Sequence, residues 1–69
     1  MTYVQSIEFV GRLGPFHVNL TTEAGRWFCQ PPGQDHVLCR DEADARALFA
    51  RSCAALTDSG CSPHPRHYL

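Results

Sequence analysis

Alternating apolar and polar residues predict two strands in the first third of the chain. Residues 16–21 alternate in the manner of a half-buried strand. Residues 2–10 also have strand character, although apolar side chains fall on both faces. One predicted face carries Tyr3, Gln5, Ile7 and Phe9, and the other carries Val4, Ser6, Glu8 and Val10. Gly11 and Gly14 favour a tight turn between the two strands, because glycine readily adopts positive φ.

Two shorter strands follow. Residues 26–30 form a predicted aromatic strand, which Pro31 and Pro32 end because proline cannot donate a hydrogen bond to a strand ladder. Residues 36–40 are predicted as a fourth strand or as the entry to a helix. In residues 61–69, two prolines indicate an extended tail rather than a helix.

The segment 41–60 has helical periodicity. Asp41 is a favourable N-cap, and Gly60 suits the left-handed residue that commonly ends a helix. Glu42 precedes Arg46 by four residues, the favourable order for an ion pair on a helix surface. Side chains at three- and four-residue steps form one stripe that must cover another layer. This stripe consists of Ala45, Leu48, Phe49, Ser52, Cys53 and Leu56.

These elements predict an α+β fold in which residues 1–60 form a single domain and residues 61–69 a tail. The sheet is an antiparallel meander of three or four strands, and the helix packs on one of its faces. One helix leaves the other face bare, and soluble monomers rarely expose a large apolar patch without purpose. The predicted contact surface on that face consists of Val4, Val10, one of Trp27 and Phe28, and Tyr68 from the tail.

Composition and net charge argue against several classes of function. The chain has 69 residues, and a domain of this size buries only about 60% of its unfolded surface, which leaves little stability in reserve. A net charge of -1 provides no electrostatic drive toward nucleic acid or an anionic membrane. No apolar run reaches the length of a membrane span, and the N-terminus lacks the pattern of a secretory signal. We therefore expect a soluble cytoplasmic protein whose four cysteines are free thiols.

A metal site is the first chemical alternative. The cysteines lack the short spacing of a zinc knuckle, but two Cys/His pairs can supply four ligands if the tail returns to the fourth strand. The residues of this zinc alternative are His36, Cys39, Cys61 and His64. We favour the interpretation that the cysteines are small buried hydrophobes and that no cofactor is bound.

The sequence supports a catalytic function less well than it supports a metal site. A cysteine nucleophile needs a neighbouring base, and Cys29 with His17 or Cys39 with His36 could form such a pair, but no local motif supports either. Gly11 and Gly14 lie in a hairpin without a following helix, so they do not form a phosphate-binding loop. We expect a protein that is not an enzyme.

Nucleic-acid binding is the second alternative. From Phe16 to Leu56, the order of strands and helix resembles the DNA-binding modules of phage integrases, which have three strands and a helix. This resemblance rests on the order of elements and implies a DNA-binding face. Arg12, Arg26 and Arg40 would form that face.

The favoured function is a protein-interaction module that acts as an inhibitor or adaptor on a larger protein or complex. Phage- and plasmid-encoded inhibitors of bacterial defence, anti-CRISPR proteins among them, share this small size and lack of catalytic motifs. The partner is another protein or a second copy of the chain, which would form a homodimer.

The first testable prediction concerns the thiols. We expect the melting temperature to be unchanged by a chelator or a reductant, because the cysteine spacing suits neither a zinc knuckle nor an obligatory disulfide. Thermal melts with and without each reagent, together with elemental analysis, measure this. A loss of many degrees with chelator and stoichiometric zinc would instead establish the four-ligand site.

Overall fold

The structure of the chain, a computed structural model, describes residues 1–67, and it describes side chains as far as residue 64. It contains five strands and one helix. In chain order these are β1 (Thr2–Gly11), β2 (Gly14–Glu23), β3 (Arg26–Gln30), β4 (Val37–Cys39), α1 (Glu42–Asp58) and β5 (Ser62–His67). The predicted α+β class and the antiparallel sheet are confirmed.

The sheet has five strands rather than three or four, in the order β4-β3-β2-β1-β5. The first four strands form the predicted meander, and β5 returns to pair with β1. Residues 61–69, predicted as a tail outside the domain, thus contain an edge strand. Pro63 and Pro65 are compatible with that position because an edge strand needs hydrogen-bond donors on one side only.

The ends of α1 are stabilised as the sequence predicts. The Asp41 carboxylate accepts a hydrogen bond from the Asp44 backbone N–H at 2.8 Å. Gly60 adopts a φ of 95°, and the Cys61 N–H donates to the Leu56 carbonyl at 3.1 Å, which turns the chain toward β5. On the helix surface, Arg46 and Glu42 form the predicted ion pair at 2.8 Å. Within the described residues, no helix has the length and apolar character needed to cross a bilayer.

Buried apolar side chains lie on one face of the sheet, here called the core face. Its fully buried members include Phe9, Val18, Leu20 and Cys29. Ala45 and Phe49 of α1 belong to the same cluster, and α1 lies against β2, β3 and β4. The other members of the helix stripe are half-buried, as expected for the flanks of an amphipathic helix.

A β-bulge changes the faces of β1. The register with β2 shifts between Tyr3 and Gln5, so Val4 has no direct partner. Val4 packs against the core cluster instead of joining Ser6, Glu8 and Val10 on the other face. The prediction of strict alternation along β1 is therefore wrong at Val4. It is also wrong at Tyr3, which pairs with Thr21 and lies on the opposite face from Ile7 and Phe9.

Gly11 marks a close approach between β1 and the segment after the helix. A Cβ atom at this position would lie only 2.7 Å from Cys61 Sγ, closer than non-bonded atoms allow. Glycine at position 11 therefore allows Cys61 to sit directly against the strand.

The second prediction concerns the core. We expect Phe49→Ala to lower the free energy of unfolding by about 3–5 kcal/mol, because Phe49 is buried among Val18 and Leu20 and its removal leaves a cavity. Chemical denaturation of the purified variant measures this loss. Leu13→Ala is the matched control, since Leu13 is exposed in the β1–β2 turn and its truncation should cost less than about 0.5 kcal/mol. Equal stability of the Phe49→Ala variant and the parent would refute this account of the core.

Candidate functional site

The face of the sheet opposite the core face, here called the outer face, holds part of the predicted contact surface. Val10 is exposed there, and Phe28 is half-buried there. Trp27 points to the core face instead, where the Arg46 guanidinium lies 5.8 Å from its ring centroid. Val4 packs toward the core, and Tyr68 lies outside the described residues.

The loop between β3 and β4 brings His36 onto the outer face. The imidazole makes edge-to-face contacts with Tyr3 and Phe28, each with ring centroids 6.4 Å apart. Thr21 lies between these two aromatic residues in the strand register and is fully buried. The outward aromatic residue is thus partly covered by the loop that carries His36, a contact that the sequence pattern does not indicate.

Polar side chains occupy the centre of the outer face. Ser6 Oγ donates to Asn19 Oδ1 at 2.6 Å, and Asn19 Nδ2 donates to Gln30 Oε1 at 2.7 Å, which links β1, β2 and β3. In the next row, His17 Nε2 lies 3.2 Å from Glu8 Oε2. The alternation of polar residues in β2 was visible in the sequence, but their partners became evident only from the strand register.

Exposed apolar side chains flank this polar centre. Val10 is 45% exposed near the β1–β2 turn, and Leu38 is 58% exposed on β4. Leu38 pairs with Phe28 and therefore points to the outer face with it. The outer face is an amphipathic surface with apolar ends rather than the continuous apolar patch that the sequence suggested.

A cleft lies where the β1–β2 turn meets the end of α1. It has a volume of about 620 Å³, and Leu13, Phe16, Leu56 and Cys61 contribute to its lining. Leu13 is 89% exposed at its edge.

The sheet separates the residues of the zinc alternative. Cys39 lies on the β4 edge, whereas Cys61 and His64 lie at the β5 edge, with three strands between the two edges. His36 lies over the outer face, where it contacts Tyr3 and Phe28. In the part of the chain that the structure describes, no three His, Cys, Asp or Glu side chains form a group that could hold a metal ion. The structure does not bring this ligand set together.

The arginines of the nucleic-acid alternative are also divided. Trp27 pairs with Cys39, so Arg26 and Arg40 lie at the same end of β3 and β4. Arg12 lies in the β1–β2 turn at the other end of the long β2 strand. Acidic residues lie close to one of these two arginines: Arg40 Nε lies 4.0 Å from the Asp41 carboxylate, and the Arg40 backbone N–H donates to Asp44.

The buried thiols are poorly suited to nucleophilic chemistry. Burial raises the pKa of Cys29 to about 11, with a smaller contribution from the neighbouring Cys39 and Cys53. Burial also raises the pKa of Cys39 and of Cys53. Since the thiolate is the reactive form, the raised pKa values keep these three thiols in the less reactive neutral form near pH 7.

Comparisons with protein-family models, with curated proteins and with solved structures each found no significant match.

The third prediction concerns the pH dependence of stability. Because the folded-state pKa of Cys29 is about 11 and the ordinary thiol value is 9.0, the neutral thiol stabilises the folded state fully below pH 9. Between pH 9 and 11 the unfolded state loses its proton first, so this contribution is lost as pH rises. We expect the parent to lose about 2 kcal/mol more stability than Cys29→Ala across this range. Denaturant unfolding at several pH values measures the difference, and parallel curves for the two proteins would contradict the assignment.

Proposed function

We propose that this chain is a small protein-interaction module that acts in the cytoplasm as an inhibitor or adaptor and has no catalytic activity. The observation that supports this proposal is the amphipathic outer face, where Val10 and Leu38 expose large apolar side chains on either side of a polar centre. Protein interfaces combine apolar contacts with hydrogen-bonding groups in this way. Neither α1 nor the loop that carries His36 removes these two side chains from solvent.

The electrostatics of the chain favour a protein partner over nucleic acid. A phosphate-binding surface needs basic side chains that are not neutralised by neighbours. The Arg40 guanidinium lies 4.0 Å from the Asp41 carboxylate, and Arg46 is paired with Glu42. The small size supports the proposed inhibitor or adaptor role, since a domain that presents one face can occlude or bridge a surface without chemistry of its own.

The raised pKa values of the buried cysteines support a role without catalysis. Cys29 would need a base strong enough to remove its proton in an apolar site. His17, the base considered in the sequence analysis, lies on the outer face and contacts Glu8. Cys29 lies on the core face, so the sheet separates the two side chains.

The fourth prediction tests the outer face with added charge. We expect Val10→Glu and Leu38→Glu each to weaken partner binding by about 30-fold, equivalent to about 2 kcal/mol, because a buried carboxylate in an interface is costly. Ala47→Glu is the matched control: Ala47 is exposed on α1, and glutamate is also a good helix former. All three variants should keep the circular dichroism spectrum and melting temperature of the parent.

The partner is first identified by affinity capture from the cell that encodes the chain, followed by mass spectrometry. Titration of the purified partner against the parent and the three variants then measures the affinities. Sedimentation equilibrium of the chain alone tests whether a second copy is the partner. Unchanged affinity and oligomeric state in both outer-face variants would refute the proposal.

A further inference from the structure

The first half of β2 lacks a strand on one side. β2 extends from Gly14 to Glu23, but β3 pairs only with its residues 19–23. In this register Gln30 lies opposite Asn19, so a continued β3 would place Pro32 opposite His17. Proline has no N–H to donate, and the chain instead turns away at Pro31. The Pro31-Pro32 pair thus explains why the ladder stops halfway along β2.

Pro15 shows which way the backbone N–H and C=O groups point in the half of β2 that β3 leaves unpaired. Pro15 lies opposite Val10, and because proline cannot donate, this must be a non-hydrogen-bonded pair of the β1–β2 ladder. Hydrogen-bonded and non-hydrogen-bonded pairs alternate, so Glu8 and His17 also form a non-hydrogen-bonded pair. The backbone N–H and C=O of His17 therefore point away from β1, toward the side that β3 leaves empty.

A cavity of about 390 Å³ occupies this side of β2. Its walls are the β2 edge, with Pro15 and His17, and the turn that contains Gly33 and Gln34. The Gln34 N–H donates to the Pro31 carbonyl at 3.2 Å, which closes the turn on itself rather than onto β2. The volume falls within the range of about 300–1,000 Å³ that is typical of ligand sites. We call this cavity the β2 slot.

The two outer edges of the sheet are less suited to a further strand. On β5, Ile7 and Phe9 lie opposite Pro65 and Pro63, so the positions that face outward lack N–H donors. On β4, which has only three residues, Leu38 is the one position whose backbone groups face outward, and the Arg40 N–H that follows already donates to Asp44 Oδ2 at 3.2 Å. Among the described strands, the β2 slot is the edge position that combines an available donor and acceptor with an enclosing wall.

We propose that the β2 slot binds an extended segment of a partner protein, which adds to the sheet antiparallel to β2 in the place that β3 leaves vacant. This inference deepens the proposed protein-binding function and rests on it. The partner residue opposite His17 exchanges two backbone hydrogen bonds with it, the recurring mode of strand addition. That residue points to the outer face beside His17 and Asn19 and is polar, and the next residue points to the core face against Phe16 and is apolar.

The experiment uses a phage-displayed library of random heptapeptides, selected against the purified chain. Enriched peptides are synthesised in parent form and with N-methylation at each position in turn. We expect methylation at one internal position to weaken binding by at least about tenfold, because it removes the N–H that His17 C=O accepts. Amide hydrogen exchange should show that binding slows exchange of the His17 N–H.

Variants at His17 distinguish the contribution of its backbone to peptide binding from that of its side chain. His17→Ala keeps the N–H and should bind the enriched peptides within a few-fold of the parent. His17→Pro removes the N–H that points into the slot and should weaken binding at least about tenfold. If His17→Pro fails to fold by circular dichroism, the methylated peptides and the exchange of the His17 amide decide the question with the parent protein.

Three results would each refute the proposal that the slot binds an extended segment. They are a selection that enriches no peptide, peptides whose affinity is unchanged by methylation, and slowed amide exchange that is confined to β4 or β5. Association of the chain with itself through the slot would also overturn it, since a second copy would then be the occupant. The partner captured by affinity separates the two proposals. If the captured partner no longer binds Val10→Glu but still binds both His17 variants, the proposed strand addition in the slot is refuted and the outer-face proposal stands. If peptides bind in the slot while the Val10→Glu and Leu38→Glu variants bind the partner as the parent does, the outer-face proposal is refuted instead.

Discussion

The contact between α1 and the core face joins β2, β3 and β4 into one packed layer beneath the helix. Ala45 is small enough for the helix backbone to approach the sheet, and Phe49 fills the space beside Val18 and Leu20. Because α1 lies against β2, β3 and β4, the strands β1 and β5 depend more on strand pairing, although Phe9 of β1 is buried in the same core cluster. The fold therefore consists of a packed half beneath the helix and a half that depends more strongly on its hydrogen-bond ladder.

Local interactions explain which elements could be predicted from the sequence. The helix was predictable because Asp41, Gly60 and the stripe around Phe49 act within a few residues of one another. The strand 26–30 was predicted with its observed bounds for a similar reason, since Pro31 ends it directly. β5 was predicted only as extended chain, because its place in the sheet depends on its register with β1.

The candidate site was harder to predict because it depends on long-range register. The bulge at Tyr3 and Gln5, which reverses the side of Val4, leaves no mark in the alternation of residue types. Similarly, the sequence shows that Pro31 and Pro32 end β3. That half of β2 is left unpaired became evident only from the strand register, in which Asn19 lies opposite Gln30. Residues that contact each other across strands, such as Ser6 and Asn19, carry information that a single sequence does not display.

The close approach of Gly11 and Cys61 makes these two positions a single steric unit. Any side chain at position 11 would enter the space of the Cys61 sulfur, while Cys61 is held by its N–H bond to the Leu56 carbonyl. During evolution the two positions should consequently covary: a larger residue at 11 requires a smaller one at 61, and glycine at 11 loses its steric purpose if position 61 becomes small. Divergent homologues could therefore be recognised by this coupled pair even where the surrounding strand residues have changed.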